Sequence, residues 1–215
     1  MVAITLVAGL VAFSLSKIEP YRQQDLAMRR LHKKQTPLPD GSQSITRSGA
    51  NLRLMITSQA IVRATIPQSR LERLAVENVI GENRCLRIQE LNIRSNVDKK
   101  DISFVLSRMP FLRKLDFDYG SSLSKDTIRQ IAKLGLLSLD VAHCNLSDSD
   151  VKELCKSESI EHLCLDFNEI TDDVVPHLEQ IKNLKRLDIW WTGISQESVQ
   201  RLRKNLPNCK VHCLN

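Results

Sequence analysis

Apolar and polar residues between residues 136 and 206 follow one pattern that restarts three times: LLSLDVAHCNLSDSDV, IEHLCLDFNEITDDVV and LKRLDIWWTGISQESV. Each segment opens with apolar residues at alternate positions, such as Leu163 and Leu165, the two-residue period of a half-buried strand. Further on the spacing turns helical: Val151 and Leu154, then Val175 and Leu178, then Val199, Leu202 and Leu206. Ser124, Ser147, Thr171 and Ser195 stand where helix N-caps are wanted. Asp126, Asp148, Asp172 and Glu197 follow in the first turn, where acids suit the helix dipole. The second strand leucine recurs every 24 residues, at Leu139, Leu163 and Leu187, and the series runs back to Leu115 and Leu91.

A fixed period in the twenties with apolar residues at L-x-x-L-x-L predicts an α/β fold, a leucine-rich repeat solenoid over residues 86–215. Short parallel strands are expected on its concave face and helices on its convex face. No single strand–helix unit can bury its own apolar side, so stacked neighbours supply the core. Cys144, Asn168 and Thr192 occupy one slot, where the chain leaves the strand. A small polar side chain there can bond the freed backbone groups of adjoining coils. Pro207 ends the last helix, and Lys210–Leu214 can add a terminal strand as a C-terminal cap. Upstream, LRLMI, AIVRATI and RLERLAVENVIG are too closely spaced for whole units, so residues 52–85 are expected to form an irregular N-terminal cap.

The chain start changes the picture. Val2–Ser16 carries no charge, and 15 residues of helix span roughly 22 Å against a bilayer core of about 30 Å. Residues 1–16 are expected to be an apolar helix acting as a transmembrane anchor. A cleaved signal peptide and a buried element stay open as alternatives. Residues 1–85 hold 12 Lys+Arg against 6 Asp+Glu, whereas residues 86–215 hold 19 of each. Lys17, Arg22, Arg29, Arg30, Lys33 and Lys34 crowd just after the apolar run. The positive-inside rule then puts the repeats on the cytoplasmic side of a single-pass protein. Residues 17–35 are expected to form a basic juxtamembrane helix able to lie on anionic headgroups. Residues 36–51, with two Pro and two Gly, are expected to be a linker.

Candidate chemistry is sparse. The six cysteines form no C-x-x-C pair, and Cys209, His212 and Cys213 lack zinc-site spacing. No nucleophile elbow or phosphate loop is present. No metal, cofactor or catalytic residue is expected, and the basic segment lacks the marks of a nucleic-acid module. One surface is informative. The outward slots of the strands gather Asp116, Asp140 and Asp188 in one column, Asp166 and Trp190 in the next, and Tyr119, His143, Phe167 and Trp191 in a third. A chain with 4% aromatic residues thus concentrates them on one face beside acids. Such clusters anchor protein partners, and the acids favour a cationic one. Packing within the repeats is the competing reading of the same columns.

The run LCLDFNEITDDVVPHLEQIKNLKRLDIWWTGISQESVQRLRKNLPNCKV resembles the leucine-rich repeats of small bacterial membrane-anchored proteins, as does the order of apolar segment, basic helix and repeats. Leu206–Lys210, Leu-Pro-Asn-Cys-Lys, is similar to the ending of that type. The repeats are also similar to the cysteine-containing repeats of F-box-type substrate receptors, although no F-box segment is present. The bacterial resemblance implies protein interaction and no catalytic residues. The reading is a membrane-anchored interaction module that binds a protein partner through its concave face. A scaffold subunit of a membrane complex and an F-box-like receptor are the alternatives.

Overall fold

The computed structural model describes residues 19–27, 87–93 and, apart from 98, 118 and 122, residues 97–213; of residues 45–47, 52–56 and 60–65 it describes the backbone alone. The expected anchor, residues 1–16, lies outside the described residues. So do residues 28–35 of the expected basic helix and residues 66–86 of the expected cap. No helix among the described residues is long and apolar enough to cross a membrane.

Among the described residues, nine strands form one sheet in chain order. Strands β4 (Arg87–Ile93), β5 (Lys114–Phe117), β6 (Ser138–Asp140), β7 (His162–Cys164), β8 (Arg186–Asp188) and β9 (Lys210–His212) run parallel. Their register is the sequence period: Leu91, Leu115, Leu139, Leu163, Leu187 and Val211 are successive partners. All six are buried. A second buried row, Phe117, Val141, Leu165 and Ile189, lies two residues further on. The helices complete each coil: α2 (Lys99–Leu106), α3 (Lys125–Lys133), α4 (Asp148–Leu154), a 3-10 turn at Asp172–Val174 leading into α5 (Val175–Leu178), and α6 (Gln196–Asn205). Pro176 sits in the first turn of α5, where its missing N–H costs nothing.

The expected caps form, and they also link coils. The Ser124 and Ser195 hydroxyls accept from the Thr127 and Ser198 N–H groups, and Ser147 forms a capping box with Asp150. The first-turn acids then reach the next coil. Asp148 accepts from both the Thr171 N–H and its hydroxyl at 2.7 Å, and Asp172 accepts from the Ser195 N–H at 2.8 Å. Those Ser195 bonds hold the Asp172 carboxyl below the usual carboxylate range.

Asn168 does what its slot predicts. Its amide donates to the carbonyls of Val141, Leu165 and Asp166, and its Oδ1 accepts from the Leu146 N–H at 2.9 Å. The residue is buried, so each of these backbone groups lacks water as a substitute. Gly193 answers a different crowding. A Cβ there would meet the Ile170 carbonyl oxygen at 2.9 Å, the atom its own N–H bonds.

At the N-terminal edge the strands change direction. β1 (Ile45–Arg47), β2 (Leu52–Ile56) and β3 (Ala60–Thr65) form an antiparallel ribbon, and β3 pairs with β4. The sheet thereby continues past the first repeat, and the stretch 36–51 contains a strand rather than only a linker. Residues 19–27 are helical (α1) and lie against the first coil. Tyr21, Gln24 and Ala27 make one buried face; Gln24 accepts from the Ile88 N–H at 2.8 Å, and the Tyr21 ring meets Phe111 at 5.2 Å. This part of the expected lipid-facing helix therefore spends one face on protein packing. Its exposed side carries Arg22, paired with Glu19 at 3.6 Å.

Asn168→Ala is expected to destabilise the fold by about 1–3 kcal/mol, because it strands a buried N–H and three carbonyls. Urea unfolding followed by circular dichroism checks it. An unchanged midpoint would mean that the neighbouring coils do not need this side chain.

Candidate functional site

The turn that leaves each strand sets the first part of the site. His143, Phe167 and Trp191 all have left-handed backbone, with φ of 54°, 54° and 53°. For residues with large side chains this conformation costs on the order of 1–2 kcal/mol each. In the preceding coil the positive φ falls on Gly120 instead, one residue after Tyr119. Carbonyl–amide bonds between coils hold these turns: the His143 N–H donates to the Asp166 carbonyl and the Phe167 N–H to the Trp190 carbonyl.

The result is a ladder of rings, one per coil. Tyr119 meets His143 edge-on at 4.6 Å, His143 stacks on Phe167 at 4.0 Å, and Phe167 lies nearly parallel to Trp191 at 6.0 Å. Ring pairs of this kind contribute about 0.5–1.5 kcal/mol each, enough to offset much of the backbone cost. The ladder still faces water: Tyr119 is 71% exposed, Trp191 63% and Phe167 41%. The four ladder residues are brought together as the sequence suggests. Trp190 is not among them. It is half-buried and lines the concave groove with the acids, so the two adjacent tryptophans serve two neighbouring surfaces.

The groove encloses about 530 Å³ and is lined by Asp116, Asp140, Cys164, Asp166, Asp188 and Trp190, among others. Its acids do not stand alone. Cross-strand register places a second column beside them: Lys114, Ser138, His162, Arg186 and Lys210. Lys114 pairs with Asp116 at 3.3 Å. Arg186 Nε donates to both oxygens of Asp188, at 3.1 and 2.8 Å, and His212 Nδ1 lies 3.2 Å from the same carboxylate. Asp188, only 8% exposed, is therefore committed inside the protein and does not offer a bare charge to a ligand. The i, i+2 spacing of Lys114/Asp116 and Arg186/Asp188 was a signal available in the sequence for this correction.

The middle of the groove is different. On β6 the position beside Asp140 holds Ser138, and Asp140 pairs with no Lys or Arg among the described residues. Its Oδ1 accepts from the Ala142 N–H at 3.0 Å. Asp166 Oδ1 accepts from the Trp190 N–H at 2.6 Å. Burial raises the Asp166 carboxyl above its ordinary pKa against that bond, with Asp188 and Asp140 adding repulsion. Burial likewise raises Asp116 despite Lys114, helped by Asp140 and Glu90. Two oxygens, Asp116 Oδ1 and Asn92 Oδ1 on the adjoining strand, are shielded and without a hydrogen-bond partner.

Among the thiols, Cys164 lines the groove and donates to Asp166. Burial pushes Cys144 and Cys155 up to about 12 and Cys209 to about 11, and it raises Cys164 as well, so all stay protonated at neutral pH. No group of three His, Cys, Asp or Glu side chains able to hold a metal ion occurs among the described residues.

Residues 136–155 match the family described as Leucine Rich repeat. The matched segment is one coil of the 24-residue register that the strands share, so the comparison identifies a leucine-rich repeat within the chain. Similar solved structures include the tropomodulin C-terminal domain of Caenorhabditis elegans, 20% identical, covering 56% of this chain and 83% of that one with a TM-score of 0.44. A leucine-rich repeat protein of Leptospira interrogans is 19% identical, covering 66% of this chain and 39% of that one with a TM-score of 0.38. No curated protein matches the sequence.

Two expectations follow. At the left-handed Trp191, glycine should be the better small substitute: Trp191→Gly relieves the backbone cost and Trp191→Ala does not, so the alanine variant should be less stable than the glycine variant by about 1 kcal/mol. The reverse order in thermal melts would remove the conformational argument. Second, a carboxyl whose folded pKa is raised gives stability below its unfolded pKa that is lost as pH rises through the folded value. Asp116→Asn and Asp166→Asn should therefore each unfold at higher denaturant than the wild type at pH 7, with the gap closing towards pH 3.5. A gap that widens as pH falls would contradict the burial of these acids.

Proposed function

We propose that this protein is an interaction module that binds a protein partner through the concave face of its repeats, with Trp190 in the groove and Tyr119, His143, Phe167 and Trp191 on the adjoining rim. The observation that carries the reading is the ladder: His143, Phe167 and Trp191 occupy left-handed turns where Gly or Asn would cost less, and Phe167 and Trp191 remain exposed to water while His143 is half-buried between its neighbours. Strain held at exposed aromatics is better explained by recognition than by packing. Repeat solenoids commonly present such concave surfaces to partners. Asp140 and Asp166 supply the negative charge, whereas Asp116 and Asp188 orient the groove through their own cations. The reading involves no reaction.

The same proposal places the protein on a membrane through residues 1–16, with the repeats on the cytoplasmic side. Its support is the uncharged stretch Val2–Ser16 and the basic run that follows. Helix α1 begins three residues after that stretch and is packed on the first coil, so an anchor there would hold the solenoid close to the bilayer by its N-terminal end.

Affinity capture from native lysate tests the concave face. The full chain is compared with a Trp190→Ala/Trp191→Ala double variant of the same thermal stability. A protein retained by the first and depleted at least about tenfold by the second is the expected result, the loss of two aromatic anchors. Equal recovery would return both tryptophans to a packing role.

A further inference from the structure

The columns of the groove carry a more specific message about the partner. On β5 and on β8, the strand supplies a cation two residues before its acid: Lys114 for Asp116 and Arg186 for Asp188. Between them lie β6 and β7, where the same position holds Ser138 and His162. Here Asp140 and, one column over, Asp166 face the groove without a Lys or Arg of their own among the described residues. The protein's internal charge pairing is thus interrupted at the centre of the face. Trp190 adjoins that interruption and forms an aromatic wall of the groove.

We infer that the centre of the groove receives an arginine side chain of a protein partner, set against Asp140 and Asp166 with Trp190 beside it. The inference rests on the concave-face reading above. Charge complementarity selects a cation, and three features select arginine over lysine. Asp140 ends β6 and Asp166 lies two residues beyond β7, a diagonal pair roughly 7–8 Å apart by sheet geometry, and a planar fork of five N–H donors can bridge both where a point charge serves one. A guanidinium is also less strongly hydrated and stacks on an indole, which suits a half-buried groove with a tryptophan wall. Finally, the groove already holds one guanidinium against an acid: Arg186 Nε donates to both oxygens of Asp188. The partner's arginine would take the place in that row at Ser138, two strands from Arg186. A small serine at 138 leaves room where a resident lysine or arginine would otherwise stand.

The test uses the full chain carrying Trp191→Phe, so that Trp190 is the sole tryptophan, and follows its fluorescence. Three capped peptides of one neutral sequence are titrated, differing in a single central Arg, Lys or Gln. The arginine peptide should bind at least about fivefold more tightly than its lysine twin, and the glutamine peptide should not register. Asp140→Asn/Asp166→Asn should weaken the arginine peptide by about tenfold or more, the size of a lost charge-assisted pair, with the thermal melt no lower than the parent's. Equal binding of Arg and Lys, or binding that survives the double Asn change, overturns the inference. The concave-face reading is judged separately. If the protein captured through Trp190 and Trp191 binds the double Asn variant undiminished, the face stands and the arginine falls. If neither capture nor any peptide responds to changes on this face, both fall.

Discussion

A coil of 24 residues has one apolar side and nothing of its own to lay over it. Every other feature of this protein follows from that constraint. Leu139 is covered only because Leu115 and Leu163 lie on either side in the same register, and the same holds along the whole row to Val211. Once the leucines are in line, the strand positions around them are in line with their counterparts 24 residues away. Acids fall beside acids, rings beside rings, and helix caps beside the first-turn acids of the coil before. The surface chemistry is a by-product of burying the leucines, and the sequence works within the columns so created.

Columns of like residues are costly, and the protein answers the cost differently in each. In the acidic column, cations two residues earlier on β5 and β8 neutralise the acids, and His212 joins the second pair. In the turn column, left-handed backbone under bulky side chains is offset by stacking the rings. In the slot where the strand ends, the buried backbone groups are met by Asn168. At Asp140 and Asp166 a backbone N–H meets one oxygen of each, and neither pairs with a Lys or Arg among the described residues.

The repeat was legible in the sequence because leucine spacing is a direct consequence of burial. The strand register, the N-caps at Ser124, Ser147, Thr171 and Ser195, and the role of Asn168 could be read from type and position alone. The columns could be listed for the same reason. What happens within a column could not. That Asp188 is held by Arg186 and His212 depends on side-chain reach, and attention to the leucines hides the i, i+2 pairs that would have suggested it. The separation of Trp190 from Trp191 depends on a single φ, which the chain reverses between two adjacent identical residues. The ribbon β1–β3 lies outside the period, so nothing in the leucine spacing announced that the sheet would continue antiparallel. The packing of α1 on the first coil rests on Tyr21, Gln24 and Ala27, a face too short and too mixed to stand out from its basic neighbours.

Uniform register has one more consequence. Because each residue on β5 to β8 is paired with the one 24 places away, a whole coil is an interchangeable unit of length: removing one such block would bring residues of like role into the vacated places. The groove could lengthen or shorten in steps of one rung while its walls kept their chemistry. An insertion of any other size would throw the downstream leucines out of line with those upstream. The 24-residue step therefore works as a reading frame for shape, in which the extent of the sheet face changes only in whole coils.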